Sequence, residues 1–442
     1  MADNKDKKVL NVPALRFPEF TEEWREYAIG NVLSIGNGRD YKHLHNGDIP
    51  VFGTGGYMTS VDDFLYDGES VFIGRKGTIN KPLYYNGKFW TVDTLFYTHS
   101  FVNVLPKFAY CLFQTINWLK YNEASGVPSL SKATIEKIKV RVPSMDEQGK
   151  LSNQLFLLDK RIEVQNKIIE KYESLIQAII YKTKTNGITK GSWQKMELSK
   201  VLHERNEKNI DGRTICSVSV SQGVVNQVEY LGRSFAAQQT NHYNVVKYGD
   251  IVYTKSPTGD FPYGIIKRSD IEEDVAVSPL YGVYTPSNDN IGVILHFYFM
   301  KPSNAFNYLH PLIQKGAKNT INITNLRFLE NFVPLPISEN EAYTIATTLK
   351  TIQKKIDIEK RLLQAYMIEK EYLLRQMFIY LKSATKLFSV LLASKRPLIT
   401  ELADKLRLKY PLLPTISPCP TMRLEAIRSI IPISCRRYPK SV

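Results

Sequence analysis

Apolar residues in two segments of the chain recur at alternating spacings of four and three, the pattern of a helix with one buried seam. Each segment sustains the pattern over about four heptads, which is typical of a coiled coil. The second lies 194 residues after the first. The first has one polar seam position, Gln165, and the second has two, Glu359 (which corresponds to Gln165) and Lys370. Two ordinary core helices of a globular domain are the alternative. The predicted seam residues are Leu151, Leu155, Leu158, Ile162, Ile169, Tyr172 and Ile176, and then Ile345, Leu349, Ile352, Ile356, Leu363, Tyr366 and Leu373.

The segment before each heptad pattern has a different character. Short runs of β-branched and aromatic residues are broken by turns that contain glycine, which predicts strands. These predicted strands include Ser70–Ile73, Leu83–Tyr85 and Phe89–Phe96, and later Asp250–Thr254 and Gly292–Phe299. Short helices are predicted at Pro106–Lys120 and Asn304–Gln314. Each segment is therefore predicted to form a compact α+β domain.

The whole pattern occurs twice. Trp24–Leu33 aligns with Trp193–Leu202 at an offset of 169 residues, and the offset grows through later matches to 194 at the helices. Because the order of the matches is preserved, the chain is predicted to be two tandem copies of one unit, the second about 25 residues longer.

These patterns divide the chain into six parts. The predicted parts are an N-terminal extension (1–19), a first α+β domain (20–145), a first long helix (146–184), a second α+β domain (185–337), a second long helix (338–382) and a basic, proline-rich tail (383–442). The tail matches neither copy, and we expect it to be poorly ordered, with a short helix at Leu398–Leu408.

Charge narrows the class of partner. The 442 residues carry a net charge of +15, of which the tail holds +8 and the remainder +7. Such an excess favours a polyanionic partner, nucleic acid before membrane. The chain has no apolar run of transmembrane length and no secretory signal, so we expect no membrane partner. The four scattered cysteines suit a reducing cytoplasm and form no zinc or disulfide pattern.

Catalytic signatures are missing from the sequence. There is no phosphate-binding loop of the Gly-x4-Gly-Lys-Ser/Thr type and no Gly-x-Ser-x-Gly nucleophile motif. Phe52–Gly56 is rich in glycine, but no helical pattern follows it, which favours a turn at a strand end. His43 and His45 have no further metal ligands nearby. The sequence therefore predicts a binding protein with no metal or cofactor of its own.

Loops at matching places in the two copies combine glycine with basic, amide and hydroxyl side chains. Arg and Lys pair with phosphates or guanine edges, Asn pairs with adenine, and glycine allows close approach of the backbone. For each loop, a solvated surface is the alternative. The candidate DNA-binding residues are Asn37, Arg39, Lys42, His43, Arg75, Lys76, Ser129, Ser131 and Lys132 in the first copy, and Arg205, Lys208, Lys255, Ser256, Lys315, Lys318, Asn319 and Asn322 in the second.

Several of these motifs resemble one protein family. Ser125–Lys132 and Ile138–Gln148, followed by the heptads, are similar to the end of a target recognition domain in a specificity subunit of a type I restriction-modification system. Ile49–Gly56, Val71–Gly77 and Phe89–Thr94 resemble strand motifs of the same family, as does the opening Pro13–Trp24. The resemblance covers about residues 11–382 and is looser in the second copy, where Asn340-Glu-Ala342 stands at the Glu-Gln position.

The resemblance implies a division of labour. Two target recognition domains would each bind one half of a split sequence in double-stranded DNA, and the two long helices would pair as an antiparallel coiled coil that separates them. Two methylation subunits with S-adenosylmethionine, and restriction subunits with ATP and Mg2+, would dock on this non-catalytic scaffold in the cytoplasm. Two other functions stay open: a structural coiled-coil adaptor without DNA affinity, and a DNA-modifying enzyme with an unrecognised site.

Overall fold

The chain forms two compact units. The computed structural model describes residues 11–233, 239–315, 321–379 and 436–437. The first unit combines Met1–Gln165 with Leu362–Val442, and the second is the continuous stretch Asn166–Arg361. Each unit therefore contains one strand-rich domain together with one end of each long helix.

The elements follow one another as strand-rich domain, long helix, strand-rich domain, long helix. The first domain contains β1 (Leu15–Arg16), β2 (Arg25–Ala28), β3 (Ser34–Asn37), β4 (Asn46–Gly53), β5 (Gly56–Val61), β6 (Tyr66–Gly74), β7 (Leu83–Thr91), β8 (Leu95–His99), α1 (Pro106–Thr115), α2 (Lys132–Lys137) and β9 (Lys139–Val142). The first long helix is α3 (Met145–Lys190).

The second domain is built from shorter strands. It contains β10 (Trp193–Glu197), β11 (Leu202–Glu204), β12 (Cys216–Ser219), β13 (Gly223–Asn226), α4 (Gln227–Leu231), β14 (Asn244–Val246), β15 (Ile251–Tyr253), β16 (Ile266–Arg268), β17 (Val275–Val277), β18 (Gly282–Pro286), α5 (Asp289–Phe299), α6 (Pro302–Leu309), β19 (Gln314–Lys315), β20 (Ile321–Asn322), α7 (Asn325–Phe328) and β21 (Phe332–Pro336). The second long helix is α8 (Glu339–Met377), and β22 (Arg436–Arg437) pairs with β1.

The two domains share one strand order. The six-stranded sheet of the first is ordered β3-β8-β6-β7-β4-β5, and the four-stranded sheet of the second is ordered β11-β18-β15-β16. The first four positions correspond one to one, and in both domains a helix, α1 or α5, follows the second of these strands and packs on the sheet. A second pair of strands, β2 with β9 or β10 with β21, closes each domain. This common topology supports the internal duplication.

The long helices run antiparallel in both units. In the first unit, Asp159 of α3 lies 2.5 Å from Lys370 of α8. In the second unit, Glu173 of α3 lies 2.7 Å from Lys360 of α8. Trp24 also contacts both Glu147 and Phe378 in the first unit, and Trp193 contacts both Gly187 and Glu341 in the second. Within each unit, one residue number therefore rises as the other falls, and the predicted α+β architecture with two paired long helices is confirmed. None of the predicted seam residues is exposed: Ile162, Tyr172, Ile352, Leu363 and Tyr366 are half-buried, and the others are buried.

Helix α3 ends at Lys190, six residues beyond the predicted end at 184. The intervening sequence, residues 185–190, contains two threonines and a glycine. The hydroxyl groups of Thr185 and Thr189 donate to carbonyl groups four residues earlier, so both side chains are satisfied within the helix. A Cβ atom at Gly187 would collide with the ring of Trp193. This contact gives the glycine a packing role that composition does not reveal.

The predicted strand at Gly292–Phe299 is wrong, because this segment belongs to helix α5. Its run of apolar residues suits a buried strand and a buried helix equally well. Asn288 decides the outcome, since its side chain caps the helix by accepting a hydrogen bond from the Ile291 amide at 3.0 Å. The predicted helix at Pro106–Lys120 is shorter than expected, ending at Thr115, and the one at Asn304–Gln314 is shifted to Pro302–Leu309.

Each domain is attached to its following long helix through a tryptophan and a glutamate. The Trp24 indole donates to Glu147 Oε1 at 3.3 Å, and the Trp193 indole donates to Glu341 Oε1 at 2.7 Å. Both glutamates lie in the first turn of their helix. The same tryptophan–glutamate hydrogen bond thus recurs in both copies.

In the first copy, the same glutamate also forms a buried ion pair. Arg16 donates to Glu147 from Nε and Nη2, both at 2.7 Å, and both side chains are almost fully buried. Leu15 and Phe17 are buried in the same core. The end of the predicted N-terminal extension is therefore part of the first unit, whereas residues 1–10 lie outside the described residues. The prediction for the tail, 383–442, also lies outside them, apart from the backbone of β22.

Candidate nucleic-acid interface

The loop after β3 is fixed to the connection between β7 and β8. The Arg39 amide donates to the Thr91 carbonyl at 2.8 Å, and the Trp90 indole donates back to the Arg39 carbonyl at 2.8 Å. A Cβ atom at Gly38 would collide with the Val92 carbonyl group, so only glycine allows this approach. We call residues 91–95 the central segment. The exposed candidates that this loop carries are Asn37, Arg39, Lys42 and His43.

The loop after β6 lies on the same central segment. The amides of Arg75 and Lys76 donate to the Thr94 carbonyl at 2.8 and 3.3 Å. The Arg75 guanidinium group lies 5.8 Å from the Phe96 ring centroid and donates weakly to the Asp93 carbonyl at 3.4 Å. Arg75 is half-buried and Lys76 is exposed. The backbone of this loop is held firmly, whereas the guanidinium group makes only peripheral contacts with the protein.

The third loop of the first copy pairs with the second. Lys76 and Ser129 form an antiparallel bridge, and the Leu130 amide donates to the Arg75 carbonyl at 2.9 Å. The Asn122 side chain holds this loop by accepting from the Ser129 amide at 2.8 Å. Three loops that are far apart in sequence therefore meet at one place.

Ser131 and Lys132 have local partners in this third loop. The Ser131 hydroxyl group caps α2 by accepting from the Thr134 amide at 3.2 Å, and it donates to Glu123 at 2.8 Å. Hydrogen bonds from Thr134 and Ser131 lower the pKa of Glu123. Lys132 is exposed, with its ammonium group 3.7 Å from Glu136. Ser131 is therefore a structural residue, and Lys132 remains accessible.

Sequence reasoning missed the two features that assemble this surface. Asn122 holds the third loop, and the central segment anchors the other two. The signal in the sequence was the polar pair Asp93-Thr94 inside the apolar run Phe89–Phe96, which was predicted as one continuous strand. The structure ends β7 at Thr91 and begins β8 at Leu95, so the polar residues form the connection.

In the second copy, Arg205 is engaged within its own domain. Its Nε and Nη2 donate to the two carboxylate oxygens of Asp250 at 2.6 and 3.0 Å, and Nη2 also donates to Thr285 at 2.8 Å. The hydrogen bond to Asp250 raises the pKa of the Arg205 guanidinium group. Because its donors are occupied by a buried carboxylate, we do not include Arg205 in the interface that we propose.

Lys255 follows β15 in a backbone conformation that is unusual for a lysine. Its φ is +59°, in the left-handed region, and Gly264 packs so closely that a Cβ there would lie 2.8 Å from the Lys255 nitrogen. Burial lowers the pKa of the Lys255 ammonium group, and Glu204 opposes that shift. Residues held in such conformations cluster at functional sites. The neighbouring Ser256 is exposed.

The remaining candidates of the second copy are described in part. Lys208 is exposed and donates to Asn244 Oδ1 at 2.6 Å. The backbones of Lys315 and Asn322 lie in the paired strands β19 and β20, whereas Lys318 and Asn319 lie outside the described residues. Over the described parts of the chain, no three His, Cys, Asp or Glu side chains form a metal-binding group. No helix in those parts has both the length and the apolar character needed to cross a membrane.

Comparisons with known proteins point to one family. The sequence profile of the type I restriction modification DNA specificity domain matches residues 21–174. The type I restriction enzyme MjaVIII specificity subunit of Methanocaldococcus jannaschii is 23% identical over 380 residues, which cover 79% of this chain and 84% of the relative. The crystal structure of a type I restriction-modification system S subunit from M. genitalium has a similar fold, with a TM-score of 0.60 at 13% identity, over 84% of this chain and 100% of that chain.

Proposed function

We propose that the chain is a specificity subunit of a type I restriction-modification system, and that its two strand-rich domains recognise the two halves of a split DNA target. This is a non-catalytic role. The convergence of three loops on the central segment of the first domain carries the proposal. Those loops place Arg39, Lys42, Arg75, Lys76 and Lys132 around one connection of the sheet.

The chemistry of this surface suits duplex DNA. Lysine ammonium groups and backbone amides contact phosphates and set the position of the protein, whereas arginine and asparagine recognise base edges in a groove. Arg75 has the planar guanidinium group that binds both acceptors of guanine, and Lys76 has the compact charge that suits a phosphate. We assign Arg75 to a base edge and Lys76 to the backbone on these grounds.

The second domain would recognise the other half of the target through the loop that contains Lys255 and Ser256. Its four-stranded sheet matches that of the first domain, but the accessory strands differ. The first domain adds the hairpin β4–β5, and the second has β12–β13 and β14–β17 in their place. A shared framework with different attached strands is what two domains need if they recognise different sequences.

We expect Arg75→Ala to cost about 1–3 kcal/mol of discrimination at one base pair of one half-site, because a bidentate contact would be lost. Lys76→Ala should weaken binding to all sequences alike and reduce the salt slope by about one unit. Lys255→Ala should affect only the other half-site. The measurement is binding to duplexes mutated in one half-site at a time, over a salt series, with methylation subunits present. If Arg75→Ala alone removes discrimination in both half-sites, the proposal that each domain recognises one half-site is contradicted.

The partners that we propose are two methylation subunits, which would supply S-adenosylmethionine, and restriction subunits, which would supply ATP and Mg2+ chemistry. Because the substrate is DNA, we expect the complex in the cytoplasm. Co-expression should yield a stable complex with two methylation subunits per specificity chain. The measurement is the mass of the purified complex by light scattering. A specificity chain that elutes alone at its own mass, in the presence of those subunits, would contradict this stoichiometry.

A further inference from the structure

The hairpin β4–β5 ends in an exposed apolar tip. Phe52 pairs with Tyr57 and Gly53 with Gly56, so only Thr54 and Gly55 form the turn. Tyr57 is 64% exposed, and the adjacent Met58 is 51% exposed. A single exposed apolar side chain is ordinary on a protein surface. Two adjacent ones at the end of a hairpin call for an apolar contact that the described residues do not provide.

This tip adjoins the proposed DNA-binding surface. Thr54 Oγ1 is 3.8 Å from the position of a Cβ atom at Gly77, which belongs to the same loop as Arg75 and Lys76. At the base of the tip, the Val92 amide of the central segment donates to the Phe52 carbonyl at 3.0 Å. The apolar tip therefore lies beside basic side chains that suit a polyanion.

The hairpin tip leaves open space around Gly55 and Gly56, and the Tyr57 ring packs on Phe52. Among the described residues, nothing lies within 4 Å of Cβ positions built on Gly55 and Gly56. The Tyr57 ring meets Phe52 edge to face, with centroids 6.5 Å apart, and its hydroxyl group lies 3.1 Å from Ser60 Oγ. These contacts orient the ring while leaving most of its surface free.

We propose that Thr54–Met58 enters the major groove of the first half-site, where Tyr57 and Met58 pack against a thymine methyl group. The inference rests on the proposed function and adds a fourth contact to the three loops. The major groove is wide enough for a two-stranded β-ribbon, and the thymine methyl group is the apolar feature that it presents. The tip would thereby distinguish thymine from cytosine at a position that Arg75 does not recognise.

The test uses the complex with methylation subunits. The double variant Tyr57→Ser/Met58→Ser should bind the full target about tenfold more weakly, as expected for one lost base contact. The salt slope should stay unchanged, because no charge is removed. Replacement of one thymine of the first half-site by deoxyuridine, which lacks only the methyl group, should weaken wild-type binding to a similar extent and leave the double variant unaffected.

Two control variants separate this contact from general effects. Val102 is 56% exposed, and its amide bonds the Val32 carbonyl at the opposite end of β3 and β8 from the central segment. Val102→Ser should therefore bind as wild type. Tyr57→Phe keeps the apolar ring and loses only the hydroxyl group, so it should bind more tightly than the double variant.

The outcomes distinguish the two proposals. A wild-type complex without sequence-specific binding would contradict the proposed function itself. If that complex binds specifically but the double variant binds equally well, only the hairpin contact is overturned. A first half-site without thymine on either strand, or a double variant that loses self-association while binding DNA normally, would overturn it too.

Discussion

A chain that lacks Ile162–Ile168 and Ile356–Leu362 should recognise a split target whose halves lie about three base pairs closer together. Each deletion removes one heptad, so every remaining seam residue keeps its position. Seven residues at ~1.5 Å per residue shorten each helix by ~10 Å, and one base pair spans ~3.4 Å. Both half-sites should be unchanged, because the deletions leave all strands and loops intact.

The antiparallel pairing makes the two deletions compatible. Asp159 and Lys370, which pair in the first unit, both remain. Deleting Ile162–Ile168 alone would leave the helices with unequal lengths and mismatched seams, so this single variant should lose specific methylation. Mapping of methylated bases with the partner subunits present provides the measurement. An unaltered gap in a folded double-deletion variant would show that the helices do not set the spacing.

Glu147→Ala should lower the free energy of unfolding of the first unit by roughly 3–5 kcal/mol, because it leaves the buried Arg16 guanidinium group without its carboxylate. The indole of Trp24 loses its acceptor as well. The matched variant in the second copy, Glu341→Ala, should cost only about 1–3 kcal/mol, since Trp193 and Ser192 are neutral donors.

The measurement is equilibrium urea unfolding, with hydrogen exchange at the amides of β2 and β10 to assign the loss to one unit. The double variant Arg16→Leu/Glu147→Leu is the control. It removes the pair instead of orphaning one charge, and such replacements are often neutral. If Glu147→Ala and Glu341→Ala lower the free energy of unfolding equally, the ion pair adds no stability beyond the tryptophan–glutamate hydrogen bond.

The features that the sequence predicted are those that depend on periodicity and on the order of repeated motifs. The heptad seam, the paired long helices and the duplication all rest on patterns that recur along the chain, and such patterns survive local irregularity. Gly292–Phe299 was assigned to a strand because a short apolar run has no decisive period, and the cap at Asn288 was overlooked. The predicted first helix ended at 184, before Gly187, because the sequence does not show that this glycine packs against Trp193.

The candidate interface could be predicted only as separate loops. The sequence placed Arg75 and Ser129 in different loops, and their meeting depends on pairings between residues more than fifty positions apart. Composition marked Arg205 as available, but the buried acceptor that occupies it, Asp250, lies on another part of the fold. Tyr57 and Met58 carry no charge, so a search for basic side chains passed over them.

The division of the chain into a continuous and a discontinuous unit has a consequence for its synthesis. The second unit is one uninterrupted stretch, Asn166–Arg361, and all of it leaves the ribosome before the first unit has its last parts. Phe378 packs against Trp24 and Phe108 in the core of the first unit, with ring centroids 6.0 and 5.4 Å apart. At 5–20 residues per second, roughly 200 residues take about 10–40 seconds to translate. During that time, the part of the first core that Phe378 later covers stays exposed to solvent. The half of the protein that is made first is thus the half that is completed last.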